Sequence, residues 1–253
     1  MPRIKAVFFD LGSTLIYSKD PWPPIYEQAD RALLDALGHN NVLLDQAAFT
    51  SEFGGFIRSY YEHRPDDHRE KTTMAALGEL LKRKGFQNVA DNILRAGLDA
   101  MYAVTQRNWY LDEDTIPTLE TLHNRGYSLG LISNTSDDKN VQQLIDRDDL
   151  RRFFVTIVTS AALGIRKPDT RIFKAALDQV KIKPGEAVMV GDMVDADVLG
   201  ANLAGMYSIW ITRHVHHTQD GELTIQPQAV VTALGQIPGL LAEIENDSTL
   251  DPV

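Results

Sequence analysis

The sequence predicts an α/β protein built on a doubly wound, Rossmann-like parallel sheet and carrying a smaller all-α helical cap. Three observations lead there. Short apolar runs rich in β-branched and aromatic residues recur at residues 4–9, 127–132, 153–158, 187–190 and 207–211, and each reads as a buried parallel strand. Helical patterns lie between the later runs, and strands alternating with helices are the signature of a doubly wound sheet. From about residue 16 to residue 110 the alternation stops, with no convincing strand and four amphipathic helical stretches in its place.

The first run, Ile4-Lys5-Ala6-Val7-Phe8-Phe9, ends at Asp10. The helical insertion follows, with apolar stripes through Ile25, Ala29 and Leu33, through Phe49, Phe53, Phe56, Ile57 and Tyr60, through Met74, Leu77, Leu80 and Leu81, and through Val89, Ile93, Leu94 and Met101. Pro21-Trp22-Pro23-Pro24 is the expected entry linker, stiffened by its prolines. The chain returns near Trp109-Tyr110-Leu111, which divides it into a core of residues 1–15 and 111–253 and a cap of residues 16–110. In the core, helices are expected from Thr115 to near Gly126 and from Thr170 to Val180, and the polar tail from Glu243 is expected to fray.

Composition narrows the chemistry. A chain of 253 residues, 43% hydrophobic and 24% charged, is long enough for a core domain carrying a smaller one. It has no cysteine, which leaves oxygen and nitrogen ligands and carboxylate or hydroxyl nucleophiles. A net charge of −10 argues against a nucleic-acid backbone as partner, because such binding needs clusters of Lys and Arg. Met1-Pro2-Arg3-Ile4-Lys5 runs straight into the first strand and no stretch of membrane-spanning length is present, so a cytoplasmic protein without a membrane partner is expected. No pattern points to an oligomeric state.

Ligands of open α/β sheets bind beyond the carboxyl ends of the strands, so the polar residues that follow each apolar run carry the information. The first run gives Asp10, the second Ser133-Asn134-Thr135, the third, beyond Gly164, Arg166-Lys167-Pro168-Asp169, and the fourth Gly191-Asp192 followed by Asp195 and Asp197. Singly, each has an ordinary reading as an Asx turn, a helix start or a solvated loop acid. Together and in this order they resemble the signature motifs of the haloacid dehalogenase-like hydrolase superfamily, in the subgroup whose cap is inserted after the first motif.

That resemblance covers residues 1–15 and about 111–240. It implies Asp10 as a nucleophile that forms an aspartyl-phosphate, Ser133, Asn134, Thr14 and Lys167 around the phosphoryl group, and Mg²⁺ held by Asp10, Asp192 and the backbone carbonyl of Gly12. Asp197 would orient metal-bound water or Lys167. The substrate would be a small phosphorylated metabolite, and closure of the cap would exclude water. The charges agree independently: an acidic protein can bring a carboxylate to a phosphoryl group only beside cations, and Lys167 with a hard divalent ion supplies them.

One departure stands out. Phosphatases of this superfamily usually read Asp-x-Asp-Gly-Thr at the first motif, the second Asp being the general acid. This chain reads Asp10-Leu11-Gly12-Ser13-Thr14, with Gly12 at the acid position. Activity is therefore expected to favour leaving groups that depart without a proton, or a cap residue stands in, from Asp20, Glu62, His63, Asp66, Asp67 and His68. Two other readings stay open: a non-catalytic protein that binds a phosphometabolite, and a dehalogenase, which would need no metal. His214, His216 and His217 with Asp220 read as a solvated loop rather than a metal site, and Trp22, Tyr26, Arg58, Tyr60, Tyr61 and Arg64 are cap residues that could face a substrate.

Overall fold

In a computed structural model of the chain, which describes residues 3–54, 67–214 and 224–247, six parallel strands form one sheet in the order β5-β4-β1-β6-β7-β8. They are β1 (Ala6–Phe9), β4 (Ser128–Ser133), β5 (Phe154–Thr159), β6 (Ala187–Gly191), β7 (Tyr207–Ile211) and β8 (Ala229–Val231). All five anticipated runs are strands. β8 was not anticipated, because three residues show no periodicity.

Period-two alternation gives the sheet two buried faces. Val7, Phe9, Leu129 and Val188 belong to one apolar cluster, with Leu119 and Leu122 of α5 (Thr115–Asn124), Val141, Leu144 and Ile145 of α6 (Asp138–Arg147), and Leu241 of α10 (Ile237–Asp247). Ala6, Phe8 and Met189 belong to the other, with Ile172, Phe173 and Leu177 of α8 (Thr170–Val180). Two short helices complete the core, α7 (Ser160–Leu163) and α9 (Leu199–Ala204). The tail is helical as far as Asp247, held by Leu241 on the core and by Tyr127 Oη donating to Glu245 at 3.1 Å, so the expected fraying from Glu243 does not occur there.

The insertion contains α1 (Trp22–Gly38), α2 (Gln46–Phe49), a wide helical turn at Thr50–Gly54, α3 (Thr73–Arg83) and α4 (Asp91–Thr105). These helices bury their own cluster, centred on Leu33, Leu37, Phe49, Phe53, Leu77 and Leu98. The expectation of no strand between residues 16 and 110 is corrected at both ends. β2 (Ile16–Ser18) pairs antiparallel with β3 (Trp109–Leu111), in the register Ile16 to Leu111 and Ser18 to Trp109. Each is too short to show alternation. The entry linker is also corrected: Trp22, Pro23 and Pro24 form the first turn of α1. Prolines sit there at little cost because the first amides of a helix have no intrahelical acceptor.

The helical layer is fastened to the sheet domain by charge and hydrogen bonds. Arg95 of α4 meets Asp137 at 2.6 Å, Lys139 meets Asp99 at 2.8 Å, and Thr73 Oγ1 donates to Ser136 Oγ at 2.7 Å. All three contacts fall on residues just after Ser133, the last residue of β4. Among the described residues no helix is long and apolar enough to cross a membrane.

Candidate active site

Along the sheet, the chain runs outward from β1 through β4 to β5, then returns to β6 on the other side of β1. The carboxyl ends of β1 and β6 therefore flank the switch point, where open α/β sheets place their ligands. Asp10 lies just past β1, with its amide donating to the Val190 carbonyl at 2.9 Å, and Asp192 lies just past β6, its carbonyl accepting from Trp210 Nε1 at 2.9 Å.

Lys167 connects them. Its Nζ donates to Asp10 Oδ1 at 2.6 Å and to the Ile132 carbonyl at 2.7 Å, and lies 2.6 Å from Asp197 Oδ1. Asp197 is fixed in turn by the Met193 amide, which donates to its Oδ2 at 3.0 Å. Gly191 makes room for it: a Cβ there would come within 2.3 Å of the Asp197 carboxyl group. Asn134 serves Lys167 from the other side, its Oδ1 accepting from the Lys167 amide at 2.8 Å and its Nδ2 donating to the Lys167 carbonyl at 3.0 Å.

The carboxylates of Asp10, Asp192 and Asp197 offer oxygens that all lie within 4.8 Å of one another. With one buried ammonium among them, two negative charges stay uncompensated when all are ionised. Burial pushes the Asp192 carboxyl up to about 8, and the charges of Asp10 and Asp197 act the same way. Burial also pushes Asp197 up to about 6, with Lys167 pulling against it and Asp10 adding to the rise. Burial disfavours the Lys167 ammonium, yet Asp10 and Asp197 outweigh it and hold that group above the ordinary lysine range. Three hard oxygen donors with unmet negative charge suit a divalent cation.

These residues line a cavity of about 240 Å³. Its polar lining includes Asp10, Ser133, Asn134, Lys167, Asp192 and Asp197, and its apolar lining Leu11, Ile16, Trp109, Val141, Leu144 and Met193. A model of the haloacid dehalogenase-like hydrolases, a family of hydrolases, matches residues 4–205 and so spans the whole constellation. The chain is a haloacid dehalogenase-like hydrolase.

Among relatives of this hydrolase, the glyceraldehyde 3-phosphate phosphatase of Methanopyrus kandleri is 30% identical over 210 residues, 83% of this chain and 84% of its own length. That of Methanothermobacter thermautotrophicus is 32% identical over 219 residues, 82% of this chain and 85% of its own. Among solved structures, a 2-haloacid dehalogenase from Pseudomonas syringae pv. Tomato matches with a TM-score of 0.67 at 27% identity, over 95% of this chain and 99% of its own.

Other site candidates of the hydrolase fall elsewhere. Thr14 is fully buried and outside the cavity lining, inside a turn where the Leu15 and Ile16 amides return to the Leu11 carbonyl. Asp195 is exposed and outside the carboxylate cluster, which corrects its grouping with Asp192 and Asp197; of the two acids in the wide helical turn Val194–Val198, Asp197 is the one that turns inward. Of the stand-in acids, Asp20, Asp67 and His68 do not line the cavity, and Glu62, His63 and Asp66 lie outside the described residues. His214 is spent on Asp112, Nε2 to Oδ2 at 2.6 Å, and stacks on Tyr17; His216, His217 and Asp220 lie outside the described residues. Trp22 and Tyr26 stack on each other outside the cavity lining, while Arg58, Tyr60, Tyr61 and Arg64 are not described.

Sequence reasoning missed the role of Trp109 and Met193 as cavity walls. Trp109 had one signal, its place at the return of the insertion, beside the first motif in space.

Proposed function

We propose that this hydrolase is a Mg²⁺-dependent phosphatase of small phosphorylated metabolites, working through an aspartyl-phosphate at Asp10 and without a general acid at position 12. The observation that carries the reading is the buried array of Asp10, Lys167, Asp192 and Asp197 at one cavity. Curated relatives of closely similar length are phosphatases of a small phosphorylated sugar.

Asp10 and Asp192, with the Gly12 carbonyl, would hold the ion, which when bound supplies charge neutralisation at the phosphoryl oxygens. Lys167, already seated on Asp10, adds a fixed positive charge at the carboxylate and keeps it oriented. Asp10 attacks phosphorus, the bond to the leaving oxygen breaks with its electron pair, and water later releases phosphate from the acyl phosphate. Asn134 keeps Lys167 in place by holding its backbone. Among the described residues no titratable cap group lines the cavity, and in this reading the leaving oxygen departs unprotonated. General acid help is worth about 10²- to 10⁴-fold, and that is the expected penalty on simple alkyl esters. A dehalogenase reading fits less well, since Lys167 alone leaves two of the three clustered carboxylate charges uncompensated.

Phosphate release with and without Mg²⁺, across esters graded by leaving-group pKa and beside Asp10→Asn, tests the reading. A Mg²⁺-dependent and Asp10-dependent rate that falls steeply as the leaving group becomes more basic is expected. Release that is indifferent to Asp10 would overturn the aspartyl-phosphate, and none from any ester would overturn the phosphatase reading and favour a phosphometabolite-binding role.

A further inference from the structure

The position usually filled by the acid is not simply vacated. A Cβ built on Gly12 would lie 3.4 Å from Cη2 and 3.8 Å from Cζ3 of Trp109, so the indole ring packs on the glycine. The ring is set from several sides. Its strand pairs Trp109 with Ser18, Arg147 Nη2 donates to its carbonyl at 2.9 Å, and its ring meets that of Trp22 at 5.3 Å and 56°. It also lines the cavity that holds Asp10 and Lys167, together with Leu11, Ile16 and Met193.

An aromatic wall and a missing acid make the same demand on a substrate. A planar, conjugated leaving group packs against an indole, stacked or edge to face, better than a saturated one of equal size. Such a group also delocalises the electron pair it carries away. From these two observations we propose that Trp109 is the specificity-determining residue of this site and selects phosphate monoesters of planar, conjugated alcohols, phenols or enols, over saturated ones.

The inference rests on the phosphatase reading for its chemistry but not for its binding preference. Asp10 forms the new P–O bond, the bond from phosphorus to the phenol or enol oxygen breaks, and its electron pair leaves as a phenolate or enolate. That anion takes its proton from water once outside the site. Nothing is oxidised or reduced, and no co-reactant other than water is needed.

Paired measurements on the full chain with Mg²⁺ separate the two claims. Binding of phenylphosphonate and cyclohexylphosphonate, which cannot be hydrolysed, is measured by calorimetry for the native protein, Trp109→Leu and Trp109→Phe. The native protein is expected to prefer the phenyl compound by about 3- to 10-fold, Trp109→Phe to keep most of that preference, and Trp109→Leu to lose it. The ratio of kcat/KM for phenyl over cyclohexyl phosphate should fall by the same factor in Trp109→Leu. A native protein without preference, or a preference untouched in Trp109→Leu, overturns the inference even if both esters are hydrolysed. An intact phosphonate preference with no phosphate release would instead sink the phosphatase reading and leave the selectivity standing. Because Leu and Phe both keep an apolar side chain on the strand, loss of fold in one variant is checked against the other.

Discussion

Asp10, Lys167 and Asp197 hold one another in place through contacts of 2.6 Å, whereas Trp109, Ile16 and Met193, lining the same cavity, come from the β2/β3 ribbon and the loop after β6 and share no polar contact. Within the polar lining Asp10, Lys167, Asp197 and Asn134 are tied to one another. The apolar lining is a meeting of separate elements. Removing a member of the first leaves a charge or a backbone group without its partner; changing a member of the second alters shape and little else. Perturbations of the network should therefore cost stability and activity together, and those of the wall should move selectivity first.

The sharpest break in that contrast is Lys167→Ala. It strands the buried carboxylates of Asp10 and Asp197, and removing one partner of a buried ion pair costs about 3–5 kcal/mol. Urea unfolding should show a loss of that order, along with loss of phosphate release. A stable Lys167→Ala protein would mean that Lys167 does not tie the network together.

A pH series probes the same network without mutation. Asp192 and Asp197 have carboxyls raised in the folded chain, to about 8 and about 6. The folded state keeps protons that the unfolded chain releases near its ordinary value of about 4. Their contribution is thus fully present below about pH 4 and is lost as pH rises toward 8. In a chelator, stability should fall across that window with a slope of up to about 1.4 kcal/mol per pH unit for each proton involved. Asp192→Asn, or Mg²⁺ at saturation, should flatten it. Identical slopes for native and Asp192→Asn protein would show that the strain lies elsewhere.

Asn134→Ala removes two hydrogen bonds to the backbone of Lys167. A destabilisation of about 1–3 kcal/mol is expected, with kcat falling more than KM rises, as suits a residue that positions another. An effect confined to KM would instead place Asn134 on the substrate. The smallest effect is Ser13→Gly. Ser13 has φ of 55°, in the left-handed region that costs a non-glycine residue about 1–2 kcal/mol, part of which glycine's greater freedom in the unfolded chain takes back. A gain of about 0.5–1 kcal/mol in thermal unfolding is the expected outcome, with activity unchanged; destabilisation would show that the Ser13 side chain is needed.

The same contrast governs what the sequence made legible. Asp10, Ser133 and Asp192 each fall at or just past the end of an apolar run, so strand periodicity set them on one edge of the sheet, while Lys167, beyond α7 and Gly164, was legible through its motif. Asn134 was visible as a neighbour, but its use as a clamp on the Lys167 backbone depends on two loops meeting. Thr14 and Asp195 could not be sorted by spacing, since one turn at Ser13 and another at Val194–Val198 decide which side chains point inward. Trp109 lies 97 positions from Gly12 in the chain, a separation no periodicity spans. The prolines at the start of α1 misled because a stiff linker and a helical first turn ask for the same residues.

The ribbon that carries Trp109 has a further consequence. Ser18, where the chain leaves, and Trp109, where it comes back, are register partners on adjacent strands, so their backbones stand about 5 Å apart. Everything between them enters and leaves through one narrow doorway. The doorway closes on itself whatever it encloses, but the segment is also tied to the loop before Lys167, where the Arg166 amide donates to the His68 carbonyl and the Arg166 guanidinium to the Arg69 carbonyl. The Trp109 indole stands where the segment comes back, against Trp22 and on the cavity that holds Asp10 and Lys167, so one position joins the helical layer to the reacting atoms.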